Sequence, residues 1–204
     1  WYRRVIDTII DIDDDDDDDD DGPTTIDLTC DDVRRSLSMI KKGTHAGPHG
    51  PQSEYISALA QTEFGEEEDK RYFIMGLTTL TNMIVNNNAP AIVYQLLTQA
   101  TLIGIGKPSG GIRPIACAGF YNKLADRCVA EHIRHKIPDL LTSQQLALKQ
   151  GAIDAVVHIL QVAMETFPDH CIVTLDVTNA FNAISRDHIL QQVQLHVPEI
   201  YGYV

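Results

Sequence analysis

Apolar residues recur at helical spacing through most of the chain, and the places where the period breaks mark changes of structure. In "TCDDVRRSLSMIKKG", Val33, Leu37 and Ile40 form one stripe, Thr29 is placed as N-cap, and Asp32 is its capping-box partner three residues on. Lys41 and Lys42 suit the negative end of that helix before Gly43 stops it. Helices are predicted over residues 55–64, 67 to about 85 and 90–100, the last opening on a proline at a permitted first-turn position, with the "NNN" of 86–88 separating the last two. "GTHAGPHGPQ" is dense in Gly and Pro and reads as an ordered, turn-rich loop. A helix from about 121 to 136 carries Ala125, Val129, Ile133 and Ile137 at a spacing of four and is ended by Pro138. Another, from about 151 to 167, is expected to bury Ile153, Val156, Leu160, Met164 and Phe167. Ser185 caps a last helix that carries Ile189, Leu190 and Val193.

Two stretches change to the period of a strand. Residues 101–106 and 112–116 are β-rich runs flanking "KPSGG", whose glycines supply positive φ, so a β-hairpin is predicted. "CIVTL", residues 171–175, is expected to be a buried strand that delivers Asp176 to its tip. The fold class is therefore α+β, mostly helical with one hairpin, and no internal repeat interrupts it.

Composition refines this picture. The 204 residues are 44% hydrophobic, enough for a real core, and no run approaches the roughly 20 apolar residues that span a bilayer. The start "WYRRVIDTIIDID" has neither a signal-like apolar region nor a small-residue cleavage site. Cys30, Cys117, Cys128 and Cys171 are scattered, as reduced thiols are. A soluble, intracellular protein with no membrane partner is expected, nuclear or cytoplasmic, and an opening Trp1 suggests a piece of a longer product.

The net charge of −13 argues at first against a polyanionic partner, but its distribution removes the objection. Residues 1–32 hold 14 Asp against Arg3 and Arg4, leaving only −1 for the rest. Residues 13–21 are uninterrupted aspartate, expected as part of a disordered acidic tail over 1–27; calcium binding and mimicry of nucleic acid are the functional alternatives. Between 101 and 150 the sign reverses, with Lys107, Arg113, Lys123, Arg127, Arg134, Lys136 and Lys149 against Asp126, Glu131 and Asp139. Such a surplus can meet phosphate or simply be solvated.

Several motifs compete for the chemistry. "GIGKPSGG" fails as a Walker loop because Thr101 and Pro108 stand where Gly and Ser or Thr are needed, and fails as a dinucleotide loop because a strand follows. What remains is a hairpin with Lys107 near its tip and Arg113 six residues later, two cations that can sit over a polyphosphate or point into solvent. Cys128, His132 and His135 share a helix face, and His45 and His49 share a loop, but neither set has the companions zinc requires. Asp176 stands where open sheets form a ligand crevice. A helix-cap role would account for the acid, yet leaves Asn179, Phe181 and Asn182 unexplained.

Four blocks in order carry a resemblance. "LIGIGKPSGGIRPIACAGFYNKLADRC", "LALKQGAIDAVVHIL" and "CIVTLDVTNAFNAISRDHIL" resemble the fingers and first palm motif of non-LTR retrotransposon reverse transcriptases, and "RRSLSMIKKGTHAGPHGPQSEYI" is similar to the block that precedes them. The resemblance implies a helical N-terminal extension over 28–100, fingers with the hairpin over 101–170, and the start of a polymerase palm sheet over 171–204. It implies an RNA-directed DNA polymerase that uses Mg2+, deoxynucleoside triphosphates, an RNA template and a DNA primer, together with the remainder of the parent polymerase chain. By position, Asp176 resembles the first catalytic aspartate, which with the Val177 carbonyl binds the metals of a two-metal transfer. Lys107 and Arg113 look like the cations that close on the triphosphate, and backbone amides near Asn179 and Ala180 like its cradle. Phe181 matches the ring that excludes a 2′-hydroxyl. The chain departs from the family in "GTHAGPHG" for the usual "GTAPGPDG", in Asn122 where Arg is usual, and in lacking an Asp-Asp pair after Asp176. The last departure implies that residues 1–204 alone are inactive. A domesticated, non-catalytic module that binds nucleic acid or protein is the alternative, followed by a helical scaffold with an acidic recruiting tail.

Overall fold

A computed structural model describes residues 25–43, 46–48, 51–61, 65–108, 110–141, 145–146, 149–177 and 183–204. Within them the order is α1 (Cys30–Met39), α2 (Ser53–Gln61), α3 (Glu67–Val85), α4 (Ala91–Leu97), β1 (Ala100–Gly106), β2 (Ile112–Ala118), α5 (Phe120–Ile133), α6 (Ile137–Leu140), α7 (Ala152–Thr166), α8 (Arg186–His196) and a 3-10 turn at Pro198–Ile200. The architecture is α+β, a helical body with a two-stranded antiparallel hairpin. No helix among the described residues is long and apolar enough to cross a membrane.

The body forms because three amphipathic helices share one interior. α1, α3 and α5 pack against one another, and α2 rests on α1 and α3. Val33 and Leu37 of α1, Ile74, Leu77 and Ile84 of α3, and Phe120, Leu124, Ala125 and Val129 of α5 are buried together, Val33 and Leu124 completely. Ile40, the third residue of the predicted stripe, is half-buried at the C-cap. The predicted capping box is present: Thr29 Oγ1 accepts from the Asp32 N–H at 3.3 Å, and the Thr29 N–H donates to Asp32 Oδ2 at 3.0 Å. The side-chain hydrogen bond from Thr29, followed by its backbone N–H, holds the Asp32 carboxyl below its usual range.

The chain ahead of α1 is fixed by a device that periodicity does not reveal. Asn86 accepts from the Ile26 N–H at 2.8 Å and donates to the Ile26 carbonyl at 2.7 Å; Asn82, one turn earlier on α3, does the same for Leu28 at 2.9 Å and 2.9 Å. Two amides thus stand in for a neighbouring strand, and Ile26 and Leu28 drop into the core between them. The core therefore extends to Ile26, within the span assigned to the tail; residues 1–24, with the aspartate run, lie outside the described residues.

At the far end, Ser185 caps α8 as expected, accepting from the His188 N–H at 3.3 Å. Val197 and Ile200 then enter the core, Glu199 forms an ion pair with Lys136, and the Tyr203 hydroxyl donates to Asp126 at 2.6 Å. This returns the last residues to α5.

Three expectations are corrected. Pro138 does not close the helix before it: α5 stops at Ile133, and Pro138 lies in the first turn of the one-turn α6, where its missing N–H costs nothing. The apolar residues of α7 are exposed rather than buried, Ile153 at 80% and Met164 at 62%, with Val156, Leu160 and Phe167 also open. Residues 171–177 form no strand; they pair with neither β1 nor β2, and Leu175 is 91% exposed. A β-branched run becomes a strand only when a ladder partner takes its N–H and C=O groups. None is supplied among the described residues, so the start of a palm sheet is not formed.

Candidate nucleotide-binding hairpin

The hairpin is built by its turn. Lys107 accepts from the Gly110 N–H at 3.0 Å through its carbonyl, and the Lys107 N–H donates to the Gly111 carbonyl at 3.0 Å. That closure needs Gly110 at φ 87° and Gly111 at φ 89°, a region that a side chain disfavours. The register then runs from Gly106 opposite Ile112 to Ala100 opposite Ala118. Pro114 is tolerated because β2 has an open edge on its other side.

This register places the two cations. Lys107 is the first residue past β1, and Arg113 stands opposite Ile105, two residues earlier on β1, or about 7 Å along the strand. Directly paired residues share a face, so Arg113 projects from the side that carries Ile103, Ile105 and Ile115. Both cations are exposed, and neither forms an ion pair among the described residues. This sets them apart from Arg34, Arg35, Lys70, Arg127, Arg134 and Lys136, each of which lies within 4 Å of a carboxylate.

The root of the hairpin is held by the Gly- and Pro-rich loop, a long-range contact that its turn-rich composition does not signal. A Cβ on Gly47 would lie 2.6 Å from both Gly119 N and Cα and 2.8 Å from the Ala118 carbonyl carbon. The loop backbone thus presses directly on the joint between β2 and α5. Beside it, Pro48, Leu80, Ile84, Leu97, Gly119 and Tyr121 contribute to an apolar cavity of about 240 Å³. Asn122 donates from Nδ2 to the Leu97 carbonyl at 2.5 Å and ties α5 to the end of α4.

Asp176 lies elsewhere. It is exposed in the unpaired stretch between α7 and α8, and Val177 beside it is also exposed. Neither of those helices packs substantially against the hairpin. Asn179, Ala180 and Phe181 lie outside the described residues. Among the described residues no three His, Cys, Asp or Glu side chains converge as a metal site. One carboxylate and the Val177 carbonyl do not fit a two-magnesium centre, whose ions lie roughly 4 Å apart. Of the other acids after Asp176, Glu199 is engaged by Lys136 and Asp187 lies in the first turn of α8. Cys128 belongs to the core: burial pushes its thiol up, against a hydrogen bond with Ser36.

No family model, no curated protein and no solved structure matches the chain.

Proposed function

We propose that this chain is the fingers and amino-terminal palm portion of a reverse transcriptase, whose parent protein copies RNA into DNA from deoxynucleoside triphosphates with Mg2+. The observation that carries the proposal is the hairpin: its turn and register set Lys107 and Arg113 close together, exposed and without carboxylate partners among the described residues. Two unpaired cations of different geometry suit a polyphosphate, the Arg as a fork and the Lys as a point charge. In this reading Asp176 and the Val177 carbonyl are the first ligands of a metal centre that needs further carboxylates, and Asn179, Ala180 and Phe181 receive the triphosphate and sugar.

The chain's own contribution is to hold the triphosphate and orient it; no transfer step is assigned to it alone. The test is binding of a fluorescent deoxynucleoside triphosphate with Mg2+. Lys107→Ala and Arg113→Ala should each weaken it about three- to tenfold, the loss of one charge-assisted contact worth roughly 0.7–1.4 kcal/mol. Equal affinity in wild type and both variants refutes the proposal. Primer extension by residues 1–204 alone would contradict the argument from the incomplete carboxylate set.

A further inference from the structure

The hairpin stands on a cavity. Gln99 immediately precedes Ala100, the first residue of β1, and Gly119 immediately follows Ala118, the last of β2, while Ala100 and Ala118 face each other in the register. Gln99 and Gly119 both line the apolar cavity of about 240 Å³ beside the Gly47 contact. Its other walls include Leu80 and Ile84 of α3, Val93 and Leu97 of α4, and Tyr121 of α5. Beyond its own pairing the hairpin packs substantially on no other element, so its pose on the body is set at these two feet.

Chemistry decides what this space takes. Among the described residues that line it none is charged, and only Gln99 and Tyr121 have polar side chains. An ion there would be desolvated without a counter-charge, and waters filling the space would lack the roughly two to four polar partners that each needs. Left empty, the walls forgo their dispersion contacts. An apolar cavity of about 150 Å³ stays dry and takes up benzene, so one of about 240 Å³ suits two fused rings. We propose that this cavity binds a small, neutral, bicyclic aromatic molecule, and that its occupant steadies the hairpin by filling the space between α3, α4 and the start of α5. A ring N–H or hydroxyl finds its polar partner in Gln99 or Tyr121. Parting the two feet opens the cavity wall, so ligand at about five times its Kd slows that opening's exchange roughly sixfold. Neither the ligand nor the coupling depends on the nucleotide-binding reading of Lys107 and Arg113.

The experiment titrates the full chain with indole, reading affinity by calorimetry and the hairpin feet by amide hydrogen exchange in NMR. Indole should bind with a Kd below about 1 mM, the range open to about nine non-hydrogen atoms in an apolar site. At about five times that concentration the amides of Thr101 and Cys117 should exchange roughly sixfold more slowly, while those of α8 stay unchanged. Val93→Phe puts a ring into the space from α4 and should weaken indole binding about tenfold or more. If that variant lacks a cooperative melt, Leu80→Phe fills the same space from α3. A Kd above about 10 mM overturns the proposal. So does binding that survives in a folded filling variant, which puts the ring on another surface such as the open apolar face of α7. Binding that is lost in the filling variant but leaves the Thr101 and Cys117 amides unchanged overturns the coupling.

Discussion

Replacing Gly47 by Ala tests how the hairpin is seated. Gly47 has φ 73°, where an L side chain costs roughly 1–2 kcal/mol. The added methyl would also lie 2.6, 2.6 and 2.8 Å from backbone atoms of Gly119 and Ala118. Bringing those contacts to the 3.4 Å of ordinary packing requires the loop and the hairpin root to part by about 0.8 Å. Neither side can do so by turning a side chain, since both are main chain, and overpacking of this kind costs about 1–3 kcal/mol. The sum is about 3 kcal/mol, or a fall in Tm of about 6–12 °C for a chain of this size. Gly43→Ala is the control: its φ is also 73°, but nothing lies within 4 Å of the added methyl, so only the backbone term applies. Thermal unfolding followed by circular dichroism should rank Gly47→Ala well below Gly43→Ala, and hydrogen exchange should speed up at Ala118 and Gly119 in the former alone. Equal Tm losses would mean that the loop does not bear on the hairpin root, and the account of the seat would fail.

Asn86→Ala leaves the Ile26 N–H and C=O without their partner at the edge of the core, so it should cost about 2–3 kcal/mol in urea unfolding, whereas a role as a mere helix terminator predicts under 1 kcal/mol. Leu124→Ala in the fully buried face of α5 should cost about 3 kcal/mol, while Ile153→Lys on exposed α7 should stay within about 0.5 kcal/mol; the reverse order would restore the expectation that α7 is buried. Burial pushes the Glu199 carboxyl up, but the Lys136 hydrogen bond, its own backbone N–H and the charges of Lys136 and His132 outweigh that and hold it below its ordinary value. A carboxylate lowered on folding stabilises the fold above its unfolded pKa and loses that contribution as pH falls through the folded value. Lys136→Met should therefore cost on the order of 1–3 kcal/mol at pH 7 and flatten the loss of stability below about pH 4.5, measured by unfolding across pH 3–7.

What the sequence made legible was local. The Thr29–Asp32 box, the Ser185 cap, the long helix at Glu67–Val85 and the hairpin turn each depend on residues within a few positions of one another, and each is present. The Asn82 and Asn86 clamps act across 54 and 60 residues. In the sequence an asparagine near a helix end reads only as a stop signal, because the extended segment it holds is far away in the chain. The same limit explains α7. Its periodicity correctly reports which residues are apolar, but a period carries no information about which surface covers them, and among the described residues that stripe stays open.

The candidate site divides along the same line. Lys107 and Arg113 are placed by one turn and the three register pairs next to it, all within "GIGKPSGGIRP", so their position is legible in the sequence. The expected placement of Asp176 depends on a strand, and a strand is a non-local object: "CIVTL" has the β-branched composition but gains nothing from extending unless another backbone lies alongside. Its apolar side chains, like those of α7 just before it, remain in solvent.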